Sequence, residues 1–286
     1  MKLKSPFIGI LAFIIVLLTM PIGHAVMILM EHLLSPQNVI FAAVALGLLG
    51  LALLILGFFH KSKTVAAFSG FFGGLLVWTG WIEFSFVYYA DRYQVAPLME
   101  NGEIVTKPEY LIMPSSVGFL AILLFYYLFG TKTGCPFFNW MKRLFKIQQA
   151  KMAQHSITNP SVSSFMEIIM LLWFFYLVLL FTYDDNFFGD RHFVTYLVAF
   201  GSLIWSIILF ARLLKKQDMY SALRYSMPTV IIFWNFVEIM GRWEFFSEFW
   251  IEPMDYVLEI SLLIVTLFIT TAIGLINKNR HRVHSS

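Results

Sequence analysis

The chain has 286 residues, 59% of them apolar and 13% charged, against about 45–50% and about 25% in an ordinary soluble domain. With a mean hydropathy of +0.76, 18% aromatic residues and a formal charge of +3, the sequence excludes a soluble enzyme, a disordered tail and a nucleic-acid binder. Its one cysteine, Cys135, permits neither an intrachain disulfide nor a thiolate metal site.

Eight stretches reach the roughly 20 mostly apolar residues of a membrane-spanning helix: 6–31, 37–59, 65–90, 111–131, 162–183, 192–213, 222–243 and 256–277. The expected fold is all-α, a polytopic integral membrane protein of eight transmembrane helices with both termini on one side. With the N-terminus inside, the inner segments hold 16 of the 20 basic residues and leave Arg92, Lys107, Arg191 and Arg242 outside. Nearly all acidic residues fall in or near the outer side, Asp218 being the clear exception. The positive-inside rule orients such a chain N-in, C-in, in a plasma (inner) membrane with its acidic loops extracytoplasmic. A competing reading takes Met1 to Ala25 as a cleaved signal peptide, because Lys2 and Lys4 precede an apolar run and Gly23-His24-Ala25 resembles a small-x-small cleavage site. Cleavage would leave seven spans and remove His24.

The two halves align as a parallel repeat with an offset near 153 residues. Trp81-Ile82-Glu83-Phe84 in the third span matches Phe236-Val237-Glu238-Ile239 in the seventh, and Tyr88 then matches Trp243. Glu109-Tyr110 opens the fourth span as Asp255-Tyr256 opens the eighth. Two parallel four-helix units are therefore expected, 1–131 and 162–286 with its basic tail, joined by a cytoplasmic linker at 132–161. Substrate sites in such proteins often lie between the halves. The linker interleaves Phe137, Phe138, Trp140 and Phe145 with Lys142, Arg143 and Lys146, as in an amphipathic helix lying on the inner membrane surface.

Ionisable residues inside spans are costly and mark functional sites. His24 and Glu31, seven residues apart on the first span, share one face with roughly 10 Å of rise between them. Glu83 and Glu238 each lie roughly 7–9 Å beneath the outer interface, and His24 is at comparable depth. The three form one candidate layer, below acidic loops that hold Asp184, Asp185, Asp190, His192 and Glu248. Oxygen and imidazole donors suit copper, iron, zinc or manganese. The candidate metal ligands are His24, Glu83 and Glu238, with Glu31, Asp184, Asp185 and His192 towards the mouth. The competing structural readings pair Glu238 with Arg242 one turn away, give His24 a hydrogen bond to a neighbouring helix, leave Glu167 interfacial, and make the aspartates a solvated loop. Trp78, Trp81, Trp234, Trp243 and Trp250, with Tyr88 and Tyr89, are expected as an outer aromatic belt.

The segment His24-Ala25-Val26-Met27-Ile28-Leu29, the Glu83 to Tyr88 spacing, Val105-Thr106-Lys107-Pro108 with Met113-Pro114-Ser115, and Glu238, Arg242-Trp243 and Pro253 together resemble the A subunit of the copper membrane monooxygenases, the particulate methane and ammonia monooxygenases. The resemblance covers about half of residues 20–130 and a short stretch at 238–253; the family's paired histidines of the first span reduce here to His24. It implies a bilayer-embedded site for a small apolar or gaseous substrate and membrane-protein partners. The leading expectation is a metal-dependent oxidoreductase of this kind, or a component of one. The alternatives are a transporter or channel for an ion or small solute using the repeat-related carboxylates, and a structural assembly subunit. No nucleotide or flavin motif is present, and no nucleic-acid partner is expected.

Overall fold

The computed structural model describes residues 4–100, 103–147 and 159–276, with backbone alone at 100 and 103–105. The middle of the expected linker, with Lys151, and the basic tail with Lys278, Arg280 and Arg282 lie outside the described residues, as does Lys2. The protein is an all-α membrane protein with seven helical segments long and apolar enough to cross a bilayer. These are α1 (Phe7–Leu33), α2 (Pro36–Phe59), the continuous run of α3 (Lys63–Val77), a π-helical turn (Trp78–Glu83) and α4 (Phe84–Arg92), the run of α5 (Pro108–Ile112), a 3-10 turn (Met113–Ser116) and α6 (Val117–Gly130), then α8 (Pro160–Tyr183), α9 (Phe193–Leu213) and α11 (Val257–Ile276). A short helix, α7 (Pro136–Leu144), follows α6, and a two-stranded hairpin, β1 (Leu98–Glu100) and β2 (Glu103–Thr106), precedes α5.

One further helix, α10 (Met219–Arg242), covers the stretch expected as the seventh span and has 24 residues, but it is less apolar than the seven. Its neighbours explain why. It packs against α9, α1, α8 and α3, so much of its surface meets protein, and Arg224, Ser226, Thr229 and Asn235 are buried there. The helices at the rim have the opposite character: Phe41 and Leu56 on α2, Phe119 on α6, and Leu258 and Phe268 on α11 are exposed, as lipid-facing side chains are.

Helix starts are set locally. Asn159 caps α8 by accepting from Ser161 N at 2.9 Å, with Pro160 supplying a preset φ at the first helical position. Asp218, the acidic residue on the otherwise basic side, is the N-cap of α10 and accepts from Ser221 N at 2.8 Å. The tightest helix contacts are made by small residues. Gly50 of α2 and Gly73 of α3 lie on each other's carbonyls, and Gly70 and Gly74 of α3 lie against Ser161 and Ile168 of α8.

The largest pairings join α2 to α3, α3 to α8, α9 to α10, and α1 to α10 and α11. One core runs through them, with Phe71, Ile168, Met170, Leu171 and Leu223 almost wholly enclosed. α7 occupies the expected amphipathic stretch but inserts Phe137 and Phe138 into this core rather than into lipid, ringed by Tyr127, Phe174, Phe175 and Trp205. Trp140, which packs on Phe137 and Trp205 at the edge of this cluster, and Phe145, just past the helix, remain partly exposed. Cys135, just before α7, is buried, and burial pushes its thiol well up, away from thiolate chemistry.

Candidate functional site

At the end of the bundle that carries the acidic loops lies a cavity of about 960 Å³. It is walled by α1, the π-helical turn, α8 and α10 and bordered by the hairpin, α5 and the loops at 184–190 and 244–251. Six of the seven candidate ligands line it: His24, Glu31, Glu83, Asp184, Asp185 and Glu238. The seventh, His192, does not; it is the N-cap of α9, where its Nδ1 accepts from Val194 N at 3.2 Å.

His24 is held from two sides. Its Nδ1 lies 3.0 Å from the carbonyl of Met20, so Nδ1 carries the hydrogen and donates. Nε2 is then the acceptor for the Tyr176 hydroxyl of α8 at 2.8 Å, and it lies 3.5 Å from Glu238 Oε1 of α10. Glu238 in turn accepts from Trp234 Nε1 at 2.6 Å, one turn earlier on α10. The structural reading that gave His24 an interhelical hydrogen bond therefore holds, while Arg242 donates to Asp190 Oδ1 at 2.6 Å and lies over the Tyr183 ring. Asp190 is further fixed through its carbonyl by Trp243 Nε1 at 2.9 Å. Asp184 is a turn former, accepting from Asn186 N and Nδ2.

Glu83 is different. It ends the π-helical turn, is 6% exposed and lines the cavity, yet has no hydrogen bond or ion pair among the described residues. A π turn widens the helix by a residue and re-aims the side chains that follow, and such turns concentrate at functional sites. Here the widened turn lies against α2, where Gly80 faces the Ala43 carbonyl and Trp81 Nε1 donates to Val44 O at 3.3 Å. Two more polar atoms bordering the cavity are buried without partners, Asn235 Nδ2 and the Tyr183 hydroxyl.

The expected aromatic belt is only partly a belt. Trp81, Tyr88 and Tyr89 are exposed, but Trp78 and Trp250 are buried, and with Trp234 they line the cavity. Tyr110, Tyr176, His24, Trp234 and Trp250 form a chain of rings along the wall, with successive centroids 6.4, 6.1, 6.4 and 5.0 Å apart. Tyr110, Tyr176 and Asn235 are site residues that the sequence reading did not single out. Asn235 had a readable signal, since it lies three residues before Glu238 on an apolar helix and so shares its face. In the loop after α10, burial and then the charge of Glu238 push the Glu248 carboxyl up to about 7 from 4.5, with His24 and Arg242 pulling it down.

His24 and Glu238 offer a nitrogen and a carboxylate side by side, but among the described residues no group of three His, Cys, Asp or Glu side chains is close enough to hold a metal ion. Glu83 does not join the pair. Counted around the whole cavity, nine carboxylates face two permanent cations, Lys107 and Arg242.

Towards the basic end of the bundle lies a buried, hydrogen-bonded polar cluster. Glu167 of α8, expected as interfacial, is wholly buried. Its carboxylate accepts from Tyr127 OH at 2.8 Å, Thr133 Oγ1 at 2.6 Å and Arg224 Nε at 3.0 Å, and a second guanidinium nitrogen completes the bidentate pair. Arg224 Nη1 donates to Tyr220 OH at 2.7 Å.

No protein-family model, curated protein or solved structure matches the chain. The functional reading therefore rests on the geometry.

Proposed function

We propose that the chain is a membrane transporter for a small solute, built from two related four-helix halves in an eight-span, N-in, C-in arrangement, with the cavity facing the outer side. The observation that carries this reading is the pairing of an acidic-end cavity, which holds the repeat-related Glu83 and Glu238, with a basic end that carries the buried Glu167–Arg224 cluster. A solute site within the bundle that opens towards one side, with a charge-paired cluster at the opposite end, is compatible with alternating access. The helix pairings support the repeat. α1 packs on α10 and α11, and its counterpart α8 packs on α3 and α6; α2 packs on α3 as α9 does on α10. Two halves related by an approximate two-fold axis produce this exchange. The distribution of basic residues supports the orientation.

Uptake into proteoliposomes tests the reading. Saturable uptake that falls when Glu83 or Glu238 is changed to Gln supports it, and no uptake of protons, cations or small organic solutes by the wild type counts against it.

A second reading, a metal-dependent oxidoreductase or a component of one as the monooxygenase resemblance implies, is favoured by the 3.5 Å approach of His24 Nε2 to Glu238. Elemental analysis of the purified protein separates the two. Near-stoichiometric copper, iron, zinc or manganese that is lost on changing His24 to Ala and Glu238 to Gln would establish the second reading.

A further inference from the structure

The chemistry of the cavity wall narrows the solute, on the premise of the solute-binding cavity proposed above. Its volume of about 960 Å³ is at the upper end of the range for sites that enclose a whole organic molecule, far beyond what a bare ion occupies. Much of the lining is apolar or aromatic, so the occupant has an apolar body. The ionisable groups are strongly one-signed, and low-dielectric walls focus such a field on the interior.

An acidic lining alone would fit any solvated loop, and Asp184 and Asp190 are indeed taken up by Asn186 and Arg242. Among the described residues Glu83 is not taken up. A nearly buried carboxylate without a protein donor favours a partner that brings one, and Glu83 lines the cavity. It lines the same cavity as Tyr110, Tyr176, His24 and Trp234. Aromatic faces attract cations, more so when water is excluded. A carboxylate without a protein donor, in a cavity that is also lined by a row of rings, is complementary to an ammonium group carried on an apolar body. The unpartnered amide of Asn235 offers a donor to an acceptor elsewhere on the same molecule.

We propose that the cavity binds an organic cation, an amine or quaternary ammonium with an aromatic or aliphatic body, with its charged group at Glu83 and its body along the Tyr110–Tyr176–Trp234 wall.

The test uses the full-length protein purified in detergent and four probes: phenethylammonium, benzyltrimethylammonium, uncharged phenethyl alcohol and anionic phenylacetate, with Zn²⁺ as the inorganic cation. Binding is followed by titration calorimetry and by the fluorescence of the wall tryptophans. The two ammonium probes are expected to bind saturably, with the alcohol and the carboxylate about tenfold to a hundredfold weaker, as for loss of one charge-assisted contact. Glu83→Gln, which keeps shape and volume, is expected to erase the preference for ammonium over alcohol while leaving the thermal midpoint close to wild type. Equal affinity for ammonium and alcohol, an unchanged preference in Glu83→Gln, binding of Zn²⁺ without either ammonium, or no saturable ammonium binding each overturn the proposal. Selectivity within the wild type needs no variant, so a poorly folding Glu83→Gln does not remove the test. Ammonium binding without uptake in proteoliposomes would reject transport and keep the cation site; uptake of uncharged solutes alone would keep transport and reject the cation site.

Discussion

Two buried carboxylates at opposite ends of the same bundle have opposite surroundings. Glu167 is wholly enclosed and accepts from Tyr127, Thr133 and two nitrogens of Arg224, so its charge is neutralised and its lone pairs are used. Glu83 is nearly as buried, yet among the described residues it has no donor, and it lines a cavity. A saturated buried charge is a structural fastener, whose removal is felt in stability; an unsaturated one beside a cavity is held for something that comes and goes. The same contrast separates Asp190, fixed by Arg242 and Trp243, from Glu238, which shares His24 and Trp234 at the cavity wall.

The largest effect is expected at the basic end. Arg224→Met leaves Glu167 charged and buried, and should cost about 3–5 kcal/mol of stability in detergent unfolding. Pairing it with Glu167→Leu should recover most of that loss, because the stranded charge is gone. A small effect of Arg224→Met alone would remove the contrast.

Next in size is Gly80→Ala. A Cβ there meets the Ala43 carbonyl and the Gly47 nitrogen of α2 with no room to spare, so the π-helical turn must shift. Overpacking of this kind costs about 1–3 kcal/mol. The shift also re-aims Glu83, so ammonium affinity should fall together with the thermal midpoint.

Glu83→Gln is expected to lie on the other side of the comparison, with unfolding within about 1 kcal/mol of wild type, because no native hydrogen bond is removed. A destabilisation as large as that of Arg224→Met would make Glu83 a second fastener and contradict its assignment.

The smallest effect is one of pH. With its carboxyl at about 7, Glu248 is mostly neutral at pH 6 and mostly ionised at pH 8. Ionisation adds negative charge beside Glu238, so ammonium affinity should rise by about threefold across that window. Glu248→Gln should flatten the rise. The stability consequence has the opposite sign: the carboxyl ionises more readily when unfolded, so its contribution to folding falls as pH climbs from about 4.5 past 7.

Much of this architecture is legible in the sequence because lipid demands long apolar helices, and seven of them stand out by composition alone. α10 is the instructive case. Its polar residues lower its hydropathy because it faces protein, and some of them, Asn235 and Glu238, line the cavity. The depths of His24, Glu83 and Glu238 can be read from helical rise, and the structure places all three at one cavity. What cannot be read is how a helix is rotated. The π turn before Glu83 has no local sequence signature, and a tryptophan that packs on a neighbouring helix cannot be told by sequence from one that lines a cavity, as Trp81 and Trp234 illustrate. Partners distant in sequence are equally hidden. Glu167 looks interfacial until Arg224, 57 residues away, is beside it, and His192 looks like a ligand until it is seen capping α9.

The most direct test of the account is uptake of labelled phenethylammonium into proteoliposomes reconstituted with wild type, Glu83→Gln or Arg224→Met paired with Glu167→Leu. The account predicts saturable uptake by the wild type that is inhibited by benzyltrimethylammonium and abolished in Glu83→Gln. Wild-type uptake no greater than in protein-free liposomes, or uptake that persists in Glu83→Gln, would contradict it.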